Sequence, residues 1–140
     1  MGHIAQIMAV FSKRTKQAGC GLECCHAHAQ YQGRLGLRNY MRSMECENFV
    51  GATHIALMKN RPHYYLWGLA VEPAKKSLGI GSALMQPLLA QADAQKMPIY
   101  LETHDEKNVR YYQKHGFDLL HTACIPKYQL SFWCMMRGSV

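Results

Sequence analysis

The stretch richest in chemistry is VEPAKKSLGIGSALMQPLL, residues 71–89. Gly79 and Gly81 stand between a β-rich run and an apolar helical run, with Lys75 and Lys76 just before them. Glycine admits positive φ and lets a ligand approach the backbone closely. The first amides of a helix have no partner inside it, and the helix dipole gathers about half a positive charge there. The combination predicts an anion site, with phosphate the natural occupant. A tight strand–helix turn would use the same glycines, so GxG alone does not separate the two. Two nucleotide patterns are excluded. There is no GxxxxGK[ST], and Leu84 stands where the third glycine of GxGxxG would fall.

Other reactive side chains weigh less. Cys20, Cys24, Cys25, His26 and His28 form C-x₃-C-C-H-x-H, which is not a zinc spacing. Adjacent Cys24 and Cys25 do not readily share one tetrahedral ion, so no metal is expected. Tyr111 and Tyr112 are neighbours and point in different directions on a helix, which puts one of them in the core. Trp67 and Trp133 read as sheet packing.

The chain has 140 residues, of which 49% are apolar, enough for one domain with a sizeable core. A net charge of +7 favours an anionic partner. The basic residues are scattered and not interleaved with aromatics, which disfavours nucleic acid. No apolar run approaches the roughly 20 residues of a membrane span, so no membrane partner is expected. In MGHIAQIMAVFSKRTK the basic residues follow the apolar stretch, the reverse of a secretory signal. A cytoplasmic protein with reduced thiols is the resulting expectation.

Residues 1–33 read as irregular, with IAQIMAVF a strand candidate. Leu37, Tyr40, Met41 and Met44 recur at helical spacing, and the helix is extended through Met58; FVGATHIALM as a strand is the rival reading. From Tyr64 the pattern sharpens. YYLWGLAV is a strand ended by Pro73. GSALMQPLLAQADAQ is a helix with Ala83, Leu84, Leu88 and Ala92 on one side and its N-cap at Gly81 or Ser82; Pro87 inside it should remove a hydrogen bond or bend it. MPIYLET is a strand, NVRYYQKH a helix stopped by Gly116, and FDLLHTA and YQLSFWCMM two last strands. The order β-α-β-α-β-β places the chain in the α/β or α+β class.

Two motifs in this order resemble the GNAT N-acetyltransferases. Their acetyl-CoA loop is Gln/Arg-x-x-Gly-x-Gly/Ala after a Val-x-Pro turn; here Val71-Glu72-Pro73 leads to Lys76-Ser77-Leu78-Gly79-Ile80-Gly81. Their second signature, Tyr-x-Lys-x-Gly-Phe, is matched by Tyr112-Gln113-Lys114-His115-Gly116-Phe117. The resemblance covers about residues 62–137 and implies one GNAT-like domain over 1–140. It implies a mixed, mainly antiparallel sheet whose central strands, Tyr64–Val71 and Pro98–Thr103, splay apart. Acetyl-CoA would be the co-substrate. Pantetheine would pair with backbone at Leu69, Ala70 and Val71, and the diphosphate would sit on the amides of Leu78, Gly79, Ile80, Gly81 and Ser82, with Lys76 adding charge. Asn108 resembles a residue that contacts the pantetheine arm. Tyr112 resembles the tyrosine that protonates the leaving thiolate.

The acceptor implied is a small-molecule or protein amine, attacking the thioester directly. The amine must lose a proton to react, so a base is required. Glu102, at the end of the second splayed strand, is the first candidate, followed by His104 and Asp105. The sequence departs from the family at Lys76, which keeps charge without the planar fork of arginine, and at Ser77, where glycine is frequent. The N-terminal region is shorter than in the branch resembled, which leaves strands missing or atypical and an exposed edge that invites a homodimer. The competing functional reading is an acyl-CoA-binding or interaction module without turnover.

Overall fold

The computed structural model describes residues 8–14, 22–59 and 61–138, with side chains from residue 36 onward. The elements are β1 (Met8–Arg14), α1 (Leu22–Met58), β2 (His63–Ala70), α2 (Ile80–Ala94), β3 (Ile99–Thr103), α3 (Glu106–Gln113), β4 (Asp118–Ile125) and β5 (Leu130–Arg137), with single 3₁₀ turns at Pro73–Lys75 and Pro126–Tyr128. β1 and the chain from Pro62 onward form one compact unit, and α1 belongs to a second.

In the first unit the five strands run in the order β1-β2-β3-β5-β4. The pairs β1/β2, β3/β5 and β4/β5 are antiparallel and only β2/β3 is parallel, the mixed and mainly antiparallel sheet expected. The order β2-α2-β3-α3-β4-β5 is the order read from the sequence. In the N-terminal region the strand candidate IAQIMAVF is met in part by β1, which pairs along β2, while the helix α1 begins at Leu22, inside the stretch read as irregular.

One face of the sheet carries the core. Tyr64 and Leu66 of β2, Ile99 and Leu101 of β3, and Met135 of β5 pack with Met85, Leu89 and Ala92 of α2 and with Val109, Tyr112 and Phe117. The inward stripe of α2 is therefore Met85, Leu89 and Ala92, spaced i, i+4, i+7; Ala83, expected among them, is exposed. Pro87 lies within α2 on its exposed side, where the carbonyl left without an amide donor can reach water. Arg137 joins β5 to α2 by donating to both carboxylate oxygens of Asp93, at 2.6 and 2.8 Å.

The second unit is the long helix α1, broken at Gly36, whose φ of 70° and ψ of 151° are not helical. The expected continuation through Met58 is helix, so the rival strand reading of FVGATHIALM falls. Leu37 and Met41, read as part of one helix face, are exposed. Its end is sealed by Arg61, whose side chain donates to the carbonyls of Met58 and Leu57 at 3.2 Å each. Among the described residues, no helix is long and apolar enough to cross a membrane.

Candidate active site

The site is built where two strands part. β2 and β3 pair only at Tyr64–Ile99 and Tyr65–Tyr100. Beyond that, β2 runs on to Ala70 beside β1 alone and β3 runs on to Thr103 beside β5 alone. Two backbone edges therefore face a gap in the middle of the sheet, and each can pair with an extended ligand.

A bulge contributes to the divergence. Val10 pairs with Gly68 but Phe11 pairs with Leu66, which leaves Trp67 as an extra residue in β2. Such an insertion bends a strand and resets its alternation. Accordingly Leu66 and Leu69, three apart, both reach the core side. Trp67 is 43% exposed, not the packed residue expected, whereas Trp133 does pack against the core.

At the end of β2 the chain makes the predicted turn. After the 3₁₀ turn, Ser77 takes φ 67° and Gly79 takes φ 75°, ψ 0°. Gly79 is the N-cap, which corrects the placement at Gly81 or Ser82; the left-handed residue ends the loop and α2 starts immediately at Ile80. Among the described residues, no side-chain cap hydrogen bond is made at this N-cap. Its first internal bond runs from the Ala83 amide to the Gly79 carbonyl at 2.9 Å, so the amides of Ile80, Gly81 and Ser82 precede any helical acceptor. A Cβ on Gly79 would meet nothing within 4 Å, so the turn is open on that side. Leu78, at the tip, is 70% exposed. Lys75, expected to serve the anion, pairs instead with Glu72 at 3.3 Å. Lys76 is exposed, with no carboxylate partner among the described residues. Uncapped amides, open space and an unpaired cation fit a diphosphate.

The other predicted residues stand on β3 and α3. Asn108 is exposed and its amide nitrogen donates to Thr103 Oγ1 at 3.1 Å, which ties α3 to the end of β3. Tyr112 lies in the core between Tyr111 and Phe117, with ring centroids 5.3 and 5.6 Å away. Burial, assisted by the neighbouring Tyr111, pushes its phenol up to about 12. The hydroxyl therefore keeps its proton throughout the neutral range.

Glu102 lies on the other face. Along β3, Ile99, Leu101 and Thr103 point toward the helices, so Tyr100 and Glu102 point away. Glu102 stands opposite Cys134 of β5. Tyr100 and Cys134 are fully buried beside it. Burial, then the Glu102 charge, raises the Tyr100 phenol far above its ordinary value. Burial raises the Cys134 thiol to about 11, a contact with Tyr100 opposing and Glu102 adding to the rise. Of the other base candidates, Asp105 is occupied as the N-cap of α3, its carboxylate accepting from the Lys107 amide at 2.9 Å. His104 packs on Phe132, with centroids 5.8 Å apart. The side chains of Cys20, Cys24, Cys25, His26 and His28 lie outside the described residues.

Two residues escaped the sequence reading. The Tyr111 hydroxyl is buried against Gly81, and His115 hydrogen-bonds Ser82 at 2.9 Å. Both stand inside the quoted Tyr-x-Lys-x-Gly-Phe segment or next to it, but nothing in a spacing announces a contact with the glycine turn.

The chain belongs to the acetyltransferase (GNAT) family, whose sequence model matches residues 8–117. Among solved structures, a mosquito arylalkylamine N-acetyltransferase like 5b has a TM-score of 0.62 at 11% identity, over 95% of this chain and 68% of its own. Ard1 from Thermoplasma volcanium is 24% identical over 56% of this chain and 55% of its own, with a TM-score of 0.49. Arabidopsis thaliana Naa50, in complex with a bisubstrate analogue, is 24% identical over 56% of each chain, again at 0.49. The chain thus spans about half the length of the last two.

Proposed function

We propose that the protein is an acetyl-CoA-dependent N-acetyltransferase that acts on a primary amine by direct attack. One observation carries the reading: a gap between two parallel strands opens beside the uncapped start of α2. When bound, acetyl-CoA would supply the acetyl group as a thioester.

The amides from Leu78 to Ser82 hold the diphosphate, and Lys76 adds a full charge. The backbone edge at Leu69, Ala70 and Val71 pairs with the pantetheine amides, and Asn108 contacts the arm from α3. Tyr112 and Glu102 lie on opposite faces of the sheet, so one reaction can use both only across the gap. Glu102 accepts the proton that the amine gives up as its nitrogen–carbon bond forms. Tyr112 donates the proton that the sulfur takes as the carbon–sulfur bond breaks. Water then restores both groups. A pKa pushed up to about 12 keeps Tyr112 in its donating form at neutral pH. Cys134 takes no part, since burial holds its thiol protonated.

Calorimetric titration with CoA, followed by thiol release with a panel of small and peptidyl amines, tests the reading. Saturable binding with amine-dependent release is expected. Binding without release from any amine would instead leave a coenzyme-binding module.

A further inference from the structure

His115 occupies the position before Gly116, and its ring bridges two elements. Nδ1 lies 2.8 Å from the Tyr111 carbonyl oxygen, and Nε2 lies 2.9 Å from Ser82 Oγ. A carbonyl oxygen can only accept, so Nδ1 carries hydrogen. With one proton on the ring, Nε2 is then the acceptor and the Ser82 hydroxyl the donor. Ser82 is the third residue of α2, and its amide belongs to the uncapped set. Its hydroxyl proton is therefore directed away from the turn it borders.

Ser82 of α2 and Tyr111 of α3 contact the ring directly, and the open pocket that His115 lines is also lined by Lys114 after α3, Asp93 of α2 and Arg137 of β5. Within that pocket Asp93 is engaged by both nitrogens of Arg137. A diphosphate on the turn would change what surrounds Ser82 and the ring. It presents strong acceptors to Ser82 and negative charge near the ring.

We propose that His115 couples coenzyme binding to proton uptake. As the diphosphate docks, Ser82 turns its hydroxyl proton to a phosphate oxygen. His115 takes a proton from solvent onto Nε2 and donates it to the vacated Ser82 oxygen. His115 is thus a positioning residue that orients Ser82 and adds charge behind the turn only when the turn is filled. This rests on the reading of the turn as a diphosphate site.

The test is calorimetry of CoA binding to the full chain in buffers of differing ionisation enthalpy, between about pH 5.5 and 8.5, a span that brackets the ordinary histidine value near 6.5. The wild type is expected to take up more protons than H115Q, which can hydrogen-bond Ser82 but cannot become charged. Its affinity should also weaken more steeply with rising pH, by up to about tenfold per pH unit for one proton. The titration of the coenzyme's own phosphates is common to both proteins and cancels. Equal uptake by the two overturns the inference and leaves the diphosphate site standing; absence of CoA binding at every pH removes the site, and the inference with it. Should H115Q fail to fold, NMR of the wild-type His115 ring decides: its resonances should move toward the imidazolium position on adding CoA, and no movement overturns the coupling.

Discussion

The Tyr111 hydroxyl rests directly on Gly81: a Cβ built on Gly81 would stand 2.8 Å from that oxygen and 3.6 Å from Val71 Cγ2. The ring packs between Tyr112 and His115 at centroid distances of 5.3 and 4.6 Å, which restricts its withdrawal. The tyrosine thus favours glycine at this position, where the family pattern also admits alanine. It also holds the first turn of α2 against the end of β2.

Gly81→Ala should accordingly destabilise the protein by about 1–3 kcal/mol, the range for overpacking a fixed site. Tyr111→Phe removes the obstructing oxygen, which is buried without a hydrogen-bond partner among the described residues, and should be neutral or mildly stabilising. The double variant should recover most of the loss, with a coupling above about 1 kcal/mol in urea denaturation. Strictly additive effects would show that the strain is relieved elsewhere.

Ser77 yields a second prediction. Its φ of 67° is a left-handed conformation that a residue with a Cβ adopts at some cost. Ser77→Gly removes that cost but enlarges the freedom of the unfolded chain. The net gain in stability should be roughly 0.5–1 kcal/mol, and Ser77→Val should lose more than about 1 kcal/mol by the same logic. Thermal melts of the three proteins give the order. An unchanged midpoint for Ser77→Gly would mean the serine gains compensating contacts.

The regular half of the chain was legible because its signals agree. Strand alternation, Pro73, Gly79 and Gly116 mark the same boundaries from Tyr64 to Arg137. In the first half only the helix through Met58 and part of β1 were legible; the start of α1 at Leu22 was not, because α1 is polar along much of its length and interrupted at Gly36. Nor could the sequence tell which glycine ends the loop, since the left-handed φ of Gly79 is a property of the folded turn. The site split in the same way. The glycine pattern pointed to the turn and the family resemblance singled out Tyr112, whereas the bulge at Trp67 and the Ser82–His115 bond, which links residues 33 apart, exist only once strands and helices meet.

The Asp93–Arg137 pair sets an acid limit. Hydrogen bonds from Arg137, the largest cause, hold the Asp93 carboxyl below its ordinary range. A depressed folded-state pKa contributes stability above the unfolded value, near 3.9, and that stability is lost as pH falls through the folded value. Asp93→Asn should therefore lower the melting temperature at neutral pH, with the difference from wild type narrowing below about pH 4. Because the carboxylate is exposed, the neutral-pH difference should be small and should shrink in high salt. A difference independent of both pH and salt would assign the effect to lost packing.

Tyr112→Phe separates chemistry from structure. The phenylalanine keeps the ring that packs against Tyr111 and Phe117, so the core should survive and CoA affinity should hold. Only the hydroxyl is lost, and with it the proton for the leaving sulfur. Removing a positioned general acid typically lowers turnover about 10²–10⁴-fold. The wild-type hydroxyl, pushed up to about 12 chiefly by burial, stays protonated across the working range. Its ionisation therefore cannot produce an alkaline decline in rate below about pH 11. Any earlier decline belongs to another group and should persist in whatever activity Tyr112→Phe retains. A parallel fall in turnover and CoA affinity would instead make Tyr112 a packing residue, and would move the search for the acid to the gap between β2 and β3.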